Sequence, residues 1–307
     1  MERERGQGTV EWVGLLCALG LVFAGLVAVG VRVPGSGLAR AVASRILCAA
    51  ALADGCGDEP VLIAAYGTEV GKLVRRHMPT LVFEAGSRAV PVDYRRCRDS
   101  SCGDADPAGL VHRTAQRLPV TAFVHVVDCR AGEREGTEAA GANCSGPRAG
   151  NLYLQYFTFY ADSATLRDVP LAGEAGYHRD DWEAVEIRIG PDGEVSQRAS
   201  SHNGFNYSRE DLNWASDAGL GPLSDLAELL DARAEGGWGP ETHLLLVSGG
   251  SHAGNAAGHH DRDRFTPGRR VHLIPLEPIA AHDHATFAIS PPWLKKIWTD
   301  PETSVTG

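Results

Sequence analysis

Between Glu11 and Arg32 the chain runs for twenty residues without a charge, WVGLLCALGLVFAGLVAVGV, and this segment restricts the fold more than any other. At about 1.5 Å per residue, a helix of this length crosses a hydrocarbon core of ~30 Å. The run predicts a membrane anchor over residues 12–33, preceded by a short tail of residues 1–11, with Trp12 at one interface. Ala28 and Gly30 are small residues of the kind that precede a signal-peptide cut. The run is nevertheless longer than the core of ~7–15 residues usual in a signal peptide, which favours an uncleaved anchor. A single span then places everything after it on one side of the membrane.

Two features bear on which side that is, and they disagree. Arg3 and Arg5 precede the span, whereas Arg32, Arg40 and Arg45 follow it, a weak bias towards the cytoplasm for the following residues. Cysteine usage points outward. Cys17 lies in the span; Cys48, Cys56, Cys97, Cys102, Cys129 and Cys144 all follow it, an even number suited to disulfides in an oxidising space. The neighbouring pairs are 48 with 56, 97 with 102 and 129 with 144. The other reading, reduced thiols in a cytosolic domain, stays open, but zinc is disfavoured because no two cysteines have C-x-x-C spacing. The expectation is a single-pass protein with its C-terminal domain outside the cytoplasm.

The remaining chain is long enough to bury a full core: of 307 residues, 43% are hydrophobic and 22% charged. A net charge of -10 excludes nucleic acid as the expected partner, since binding a phosphate backbone needs a basic surface.

Residues 34–78 read as a helical hairpin or linker. PGSG breaks the first helix, Leu38, Val42, Ile46 and Leu47 recur at helical spacing up to Gly55, and a second helix runs from about Glu59 to His77 before Pro79. From residue 79 the period changes. TLVFEA, VTAFVHVVD, NLYLQYFTFY, DWEAVEIRI, EVSQRASS, THLLLVSGG and RRVHLIPLEP are short, β-branched or aromatic, and bounded by Gly, Pro or Asp. In this half only residues 223–236 have a helical pattern. The fold class expected is mostly β: an antiparallel β-sandwich over residues 79–302, with residues 303–307 as a tail.

One strand carries unusual charge. In GYHRDDWEAVEIRI, residues 176–189, alternation puts Asp181, Glu183, Val185, Ile187 and Ile189 on one face and Trp182, Ala184, Glu186 and Arg188 on the other. Two carboxylates thus continue an apolar row, where burial without partners is costly. With His178 just upstream, they form a candidate site for a divalent cation, and the oxygen-rich set favours Mg, Ca or Mn over zinc. An ion-pair network through Arg179, Arg188 or a remote arginine explains the same residues equally well. Asp162, Asp168 and Glu174 are further carboxylates within reach of the motif.

The segment HRDDWE resembles the heptapeptide G-H-R-H-D-W-E of the necrosis- and ethylene-inducing-peptide-like proteins. That resemblance implies a cation held by His178, Asp181 and Glu183 in a β-sandwich. Tyr177 is inserted after Gly176, and Asp180 stands where that family has a second histidine. A broader resemblance, from about His77 to Glu302, is to the vacuolar protein sorting-associated protein sixty-two family and its bacterial relatives. It rests on the order of PTLVFEAGSRAVPVDY, YLQYFTFY, H-x-x-D-W-E, SSHNG, SGGSHA and PPWLKKIWTDPE, and implies a fold and a site more than an activity.

His202 in SSHNG and His252 in SGGSHA each follow a strand, so with Asp180 they are candidates for the shell around the ion; local turn chemistry is the alternative. The run HHDRDR at 259–264 reads as a solvated loop. Ser251 lacks the α/β context of a nucleophile elbow. The reading is a membrane-anchored extracytoplasmic binding or surface-interaction module, with a divalent cation and a lipid or glycan ligand. The alternative is an extracytoplasmic metal-dependent hydrolase in which Asp180 serves as base.

Overall fold

A computed structural model describes residues 58–84, 87, 89–106, 113–130, 141–164, 177–201, 204–207, 237–256, 271–276 and 286–304. The expected anchor, the first hairpin helix, Cys48, Cys56, Asp168, Glu174, His202, the 223–236 helix and the 259–264 run lie outside these residues. Among the described residues no helix is long and apolar enough to cross a membrane.

The chain divides into two units, residues 1–76 and 77–307. Helix α1, Glu59–His77, covers the stretch expected, with one interruption at Gly67, where φ is 80° and ψ 166°. Such a φ is open to glycine and costly to residues with a Cβ. The chain turns back there closely enough that a Cβ on Gly71 would fall 2.7 Å from the Ile63 nitrogen.

The second unit is mostly β, with ten strands among its described residues: β1 Thr80–Phe83, β2 Thr121–Asp128, β3 Leu152–Ala164, β4 Tyr177–Ile189, β5 Val195–Ser201, β6 Gly204–Asn206, β7 Gly239–Pro240, β8 Leu244–Val247, β9 Gly254–Asn255 and β10 His272–Pro275. The larger sheet has the order β10-β2-β3-β4-β5-β6, with β7 also on β5, and the smaller β1-β8-β9. The antiparallel expectation needs correction: β1 pairs β8 in parallel and β10 pairs β2 in parallel, so both sheets are mixed. Strands joined by long connections are not held to opposite directions as hairpin strands are. All seven expected strands form; β6, β7 and β9 are too short to show a period.

The smaller sheet lies on one face of the larger. A Cβ on Gly254 of β9 would meet the Ala199 Cβ of β5 at 3.0 Å, so glycine there permits the close approach. Leu81, Phe83, Leu245 and Val247 are buried, as are Leu154, Tyr156, Val185 and Ile187. The opposite face is also buried. Tyr94, Phe123, Phe157, Phe159, Trp182, Phe205 and Trp293 form an aromatic core there, each ring contributing roughly 1.5–3 kcal/mol by burial. Both faces of β4 are therefore core, where alternation alone suggested one.

Two disulfides join Cys97 to Cys102 and Cys129 to Cys144, as their spacing suggested.

Candidate functional site

The acids of HRDDWE emerge at the start of β4, each with a separate partner. Asp181 and Glu183 share a face, as the period requires, beside Tyr160 and Thr158 of β3, their neighbours through the Tyr160↔Asp181 and Thr158↔Glu183 pairs. Asp181 Oδ2 lies 2.9 Å from Nδ1 of His252, and both side chains are buried. The His252 ring stacks on Tyr160, with centroids 3.8 Å apart and planes at 5°. This fixes the ring and thereby the carboxylate. His252 reaches the position from the loop after β8 with φ at 59°, a conformation uncommon for a residue other than glycine.

Glu183 accepts a short hydrogen bond from the Ser200 hydroxyl, which itself accepts the Ala184 N–H at 2.6 Å. Lys295, from the C-terminal segment, supplies positive charge to the same corner. Burial holds its ammonium below the usual lysine range, while Glu183 and Asp181 pull in the other direction. The Tyr160 hydroxyl is pushed up, first by burial and then by the same two carboxylates.

Asp180 faces elsewhere. Its buried carboxylate is gripped by Arg98, Nε at 3.0 Å from Oδ1 and Nη2 at 2.8 Å from Oδ2, and the Ala288 N–H donates to Oδ2 at 2.8 Å. His178 is partly exposed, with Nε2 3.9 Å from Asp181 Oδ1, beyond hydrogen-bonding distance.

The structure thus brings together His178, Asp181 and His252, sets Glu183 beside them, and pairs Asp180 with Arg98. Asp162 pairs across the ladder with Arg179. Among the described residues no group of three or more His, Cys, Asp or Glu side chains is gathered so as to hold a metal ion as it stands. The donor chemistry still suits a cation in part. His252 and Ser200 each occupy one oxygen of a carboxylate, as orienting partners do around metal ligands. Asp181 Oδ1 is left facing His178.

Arg98, Ser200, Tyr160 and Lys295 escape a sequence reading because they approach from other strands and loops. Arg98 leaves one trace, its place inside the Cys97–Cys102 loop.

Behind the site, on the Trp182 face, a second polar row crosses four strands. His125 Nδ1 meets Gln155 Oε1 at 2.7 Å, Gln155 donates to Glu186 at 2.5 Å, and Arg198 donates to Glu186 at 2.5 Å. The Glu186–Arg198 pair is fully buried. Desolvation pushes the Glu186 carboxyl up, with Arg198 acting against it. Arg198 is sandwiched against Phe205 and Trp238, at 4.0 Å and 4.5 Å. This row is sealed inside the protein and has the character of a structural network.

These features define a disulfide-linked, mostly β protein with a charged corner at one strand end. No protein-family model and no curated protein matches the sequence. Solved structures of NLPPya, a necrosis- and ethylene-inducing-like protein, show a weak likeness. Its complex with glucosamine is 13% identical with a TM-score of 0.32, covering 74% of this chain and 86% of that one. Its complex with mannosamine is 12% identical with a TM-score of 0.31, over the same shares.

Proposed function

We propose that this chain is a binding or surface-interaction module of the cell envelope, anchored by its N-terminal apolar segment with the β unit outside the cytoplasm. Its ligand site is the start of β4, where one divalent cation is held by His178, Asp181 and Glu183. The cation presents a centre of positive charge to an oxygen-rich ligand, a glycan or a lipid headgroup. One observation carries the reading: Asp181 Oδ1 and His178 Nε2 face each other 3.9 Å apart without a hydrogen bond, while the other Asp181 oxygen is fixed by His252. Ordinary ion pairing gives no reason to anchor one oxygen so firmly and leave the other facing a histidine.

The test is metal content and thermal shift of the oxidised full-length protein, after chelation and after adding calcium, magnesium or manganese separately. Stabilisation by one ion, lost in both His178→Ala and Asp181→Ala while each variant remains folded, is the expected result. An ion response equal in wild type and both variants, or none in any, sinks the assignment.

A further inference from the structure

Strict alternation places His178 on the Trp182 face of β4, across the sheet from Asp181. The structure instead brings His178 to within 3.9 Å of Asp181. The break lies between them. The β3–β4 ladder pairs every residue from Leu152↔Ile189 to Ala164↔Tyr177 except Ala161 and Asp180, and Asp180 has φ at 60°. A left-handed residue within a strand re-aims whatever precedes it. The paired strand follows: Ser163, opposite His178, turns its hydroxyl to the Gly250 carbonyl at 3.2 Å.

A left-handed aspartate costs on the order of 1–2 kcal/mol, so it persists only where its surroundings impose it. Here the imposing group is Arg98, which bonds both Asp180 oxygens. Arg98 is itself immobilised. Its Nη1 donates to Thr286 Oγ1 at 2.8 Å, its Nη2 to the Thr286 carbonyl at 2.6 Å, and its guanidinium lies 4.1 Å over the Phe287 ring. The Cys97–Cys102 disulfide closes the loop from which it projects.

We propose that Arg98 is a positioning residue for the β4 site, acting through Asp180 to hold the left-handed turn that brings His178 to Asp181. The effect on ion affinity rests on the cation reading above; the effect on backbone and side-chain placement does not. The departure of HRDDWE from a second histidine at position 180 then has a reason: an acid there can be clamped by an arginine.

Two variants of the full-length oxidised protein test this, Arg98→Met and Arg98→Met/Asp180→Gly, each by crystal structure and by calcium and manganese titration alongside wild type. The single variant is expected to lose the left-handed φ at 180, to separate His178 from Asp181, and to weaken ion binding about tenfold or more, as loss of an orienting partner does. Glycine adopts positive φ without a clamp and removes the stranded carboxylate, so the double variant is expected to regain both the His178–Asp181 pair and most of the affinity. Arg98→Met with φ at 180 and His178 unchanged overturns the proposal, as does a double variant in which the pair stays apart. If Arg98→Met does not fold, the double variant decides alone: folded with the pair restored supports the clamp, any other outcome rejects it. If wild type binds neither ion and magnesium gives no response either, the cation reading fails and the crystal structures still decide the role of Arg98.

Discussion

Lys295 brings an ammonium group to Glu183 and Asp181, the two carboxylates that the proposed cation would need, so on that proposal it would compete with the ion. Lys295→Met is therefore expected to tighten ion binding several-fold, opposite in sign to Asp181→Ala, and calorimetric titration of the two variants side by side checks it. Deeper in the sheet, His125 couples stability to pH. Burial lowers its pKa from 6.5 to about 4, against the pull of Gln155. Between those values the unfolded chain binds the proton and the folded one does not, so stability falls as pH drops from 6.5 towards 4 and is level beyond. The shift corresponds to about 3 kcal/mol. Urea unfolding at pH 7 and pH 4 should show it, and His125→Leu should remove this part of the slope. The carboxylates of the site were legible in the sequence because a period of two places Asp181 and Glu183 on one face. His252 was also legible as a neighbour of the site, from its place after a strand in SGGSHA, though not its specific bond to Asp181, 71 residues away. Arg98, 82 residues from Asp180, was not, because no local pattern reports a contact at such a separation.

At the level of elements, β4 shows where pattern reading works and where it stops. Its alternation from residue 181 onward is regular, and the strand forms there as expected; the additional four residues, Tyr177 to Asp180, carry no such signal because charge and a left-handed backbone erase the period. Mixed strand direction was hidden for a related reason, since alternation is the same in parallel and antiparallel strands. If Arg98 positions β4 as proposed, the disulfide that closes its loop should make this element sensitive to reduction. Closing six residues, the Cys97–Cys102 bond contributes about 2 kcal/mol by loop entropy, and the longer Cys129–Cys144 loop about 3 kcal/mol. Cys97→Ser/Cys102→Ser is expected to weaken ion binding beyond its modest cost in stability, because Arg98 loses its fixed base. Cys129→Ser/Cys144→Ser should cost at least as much stability and leave ion binding unchanged. Equal loss of binding in both double variants, measured at a temperature where both are folded, would show that general loosening is the cause.

At the scale of the second unit, the C-terminal segment from Pro291 to Ser304 is a strap across the face of the larger sheet opposite the smaller one. It contributes Trp293 and Ile297 to the aromatic core and lays Trp298 on the His125 ring, with centroids 3.5 Å apart and planes at 12°. Its polar groups end the rows that cross the strands. Gln155 donates to the Ile297 carbonyl at 3.1 Å and Arg198 to the Pro301 carbonyl at 2.7 Å. Glu302 accepts from Tyr153 at 2.7 Å, Arg188 at 3.0 Å and Trp238 at 2.8 Å, and Asp300 accepts from Arg148 at 2.7 Å. The same strap delivers Lys295 to the β4 site, so the seal over the core and the charge of the site are one element. Ending the chain at Ser290 would strip a buried tryptophan, worth about 3–5 kcal/mol, and leave the Glu186–Arg198 pair short of an acceptor in a partly opened core, at a further cost of a few kcal/mol. Their sum approaches the roughly 5–15 kcal/mol that holds a domain folded. The truncated chain is expected to lose its cooperative urea transition and its near-ultraviolet aromatic signal, whereas Glu302→Ala should keep both and lower the unfolding free energy by about 2–3 kcal/mol, read as a lower midpoint. A truncated chain that still unfolds in one sharp transition near the wild-type midpoint would mean that the sheet closes its aromatic face without the strap, and that Lys295 reaches the site on a segment free to leave it.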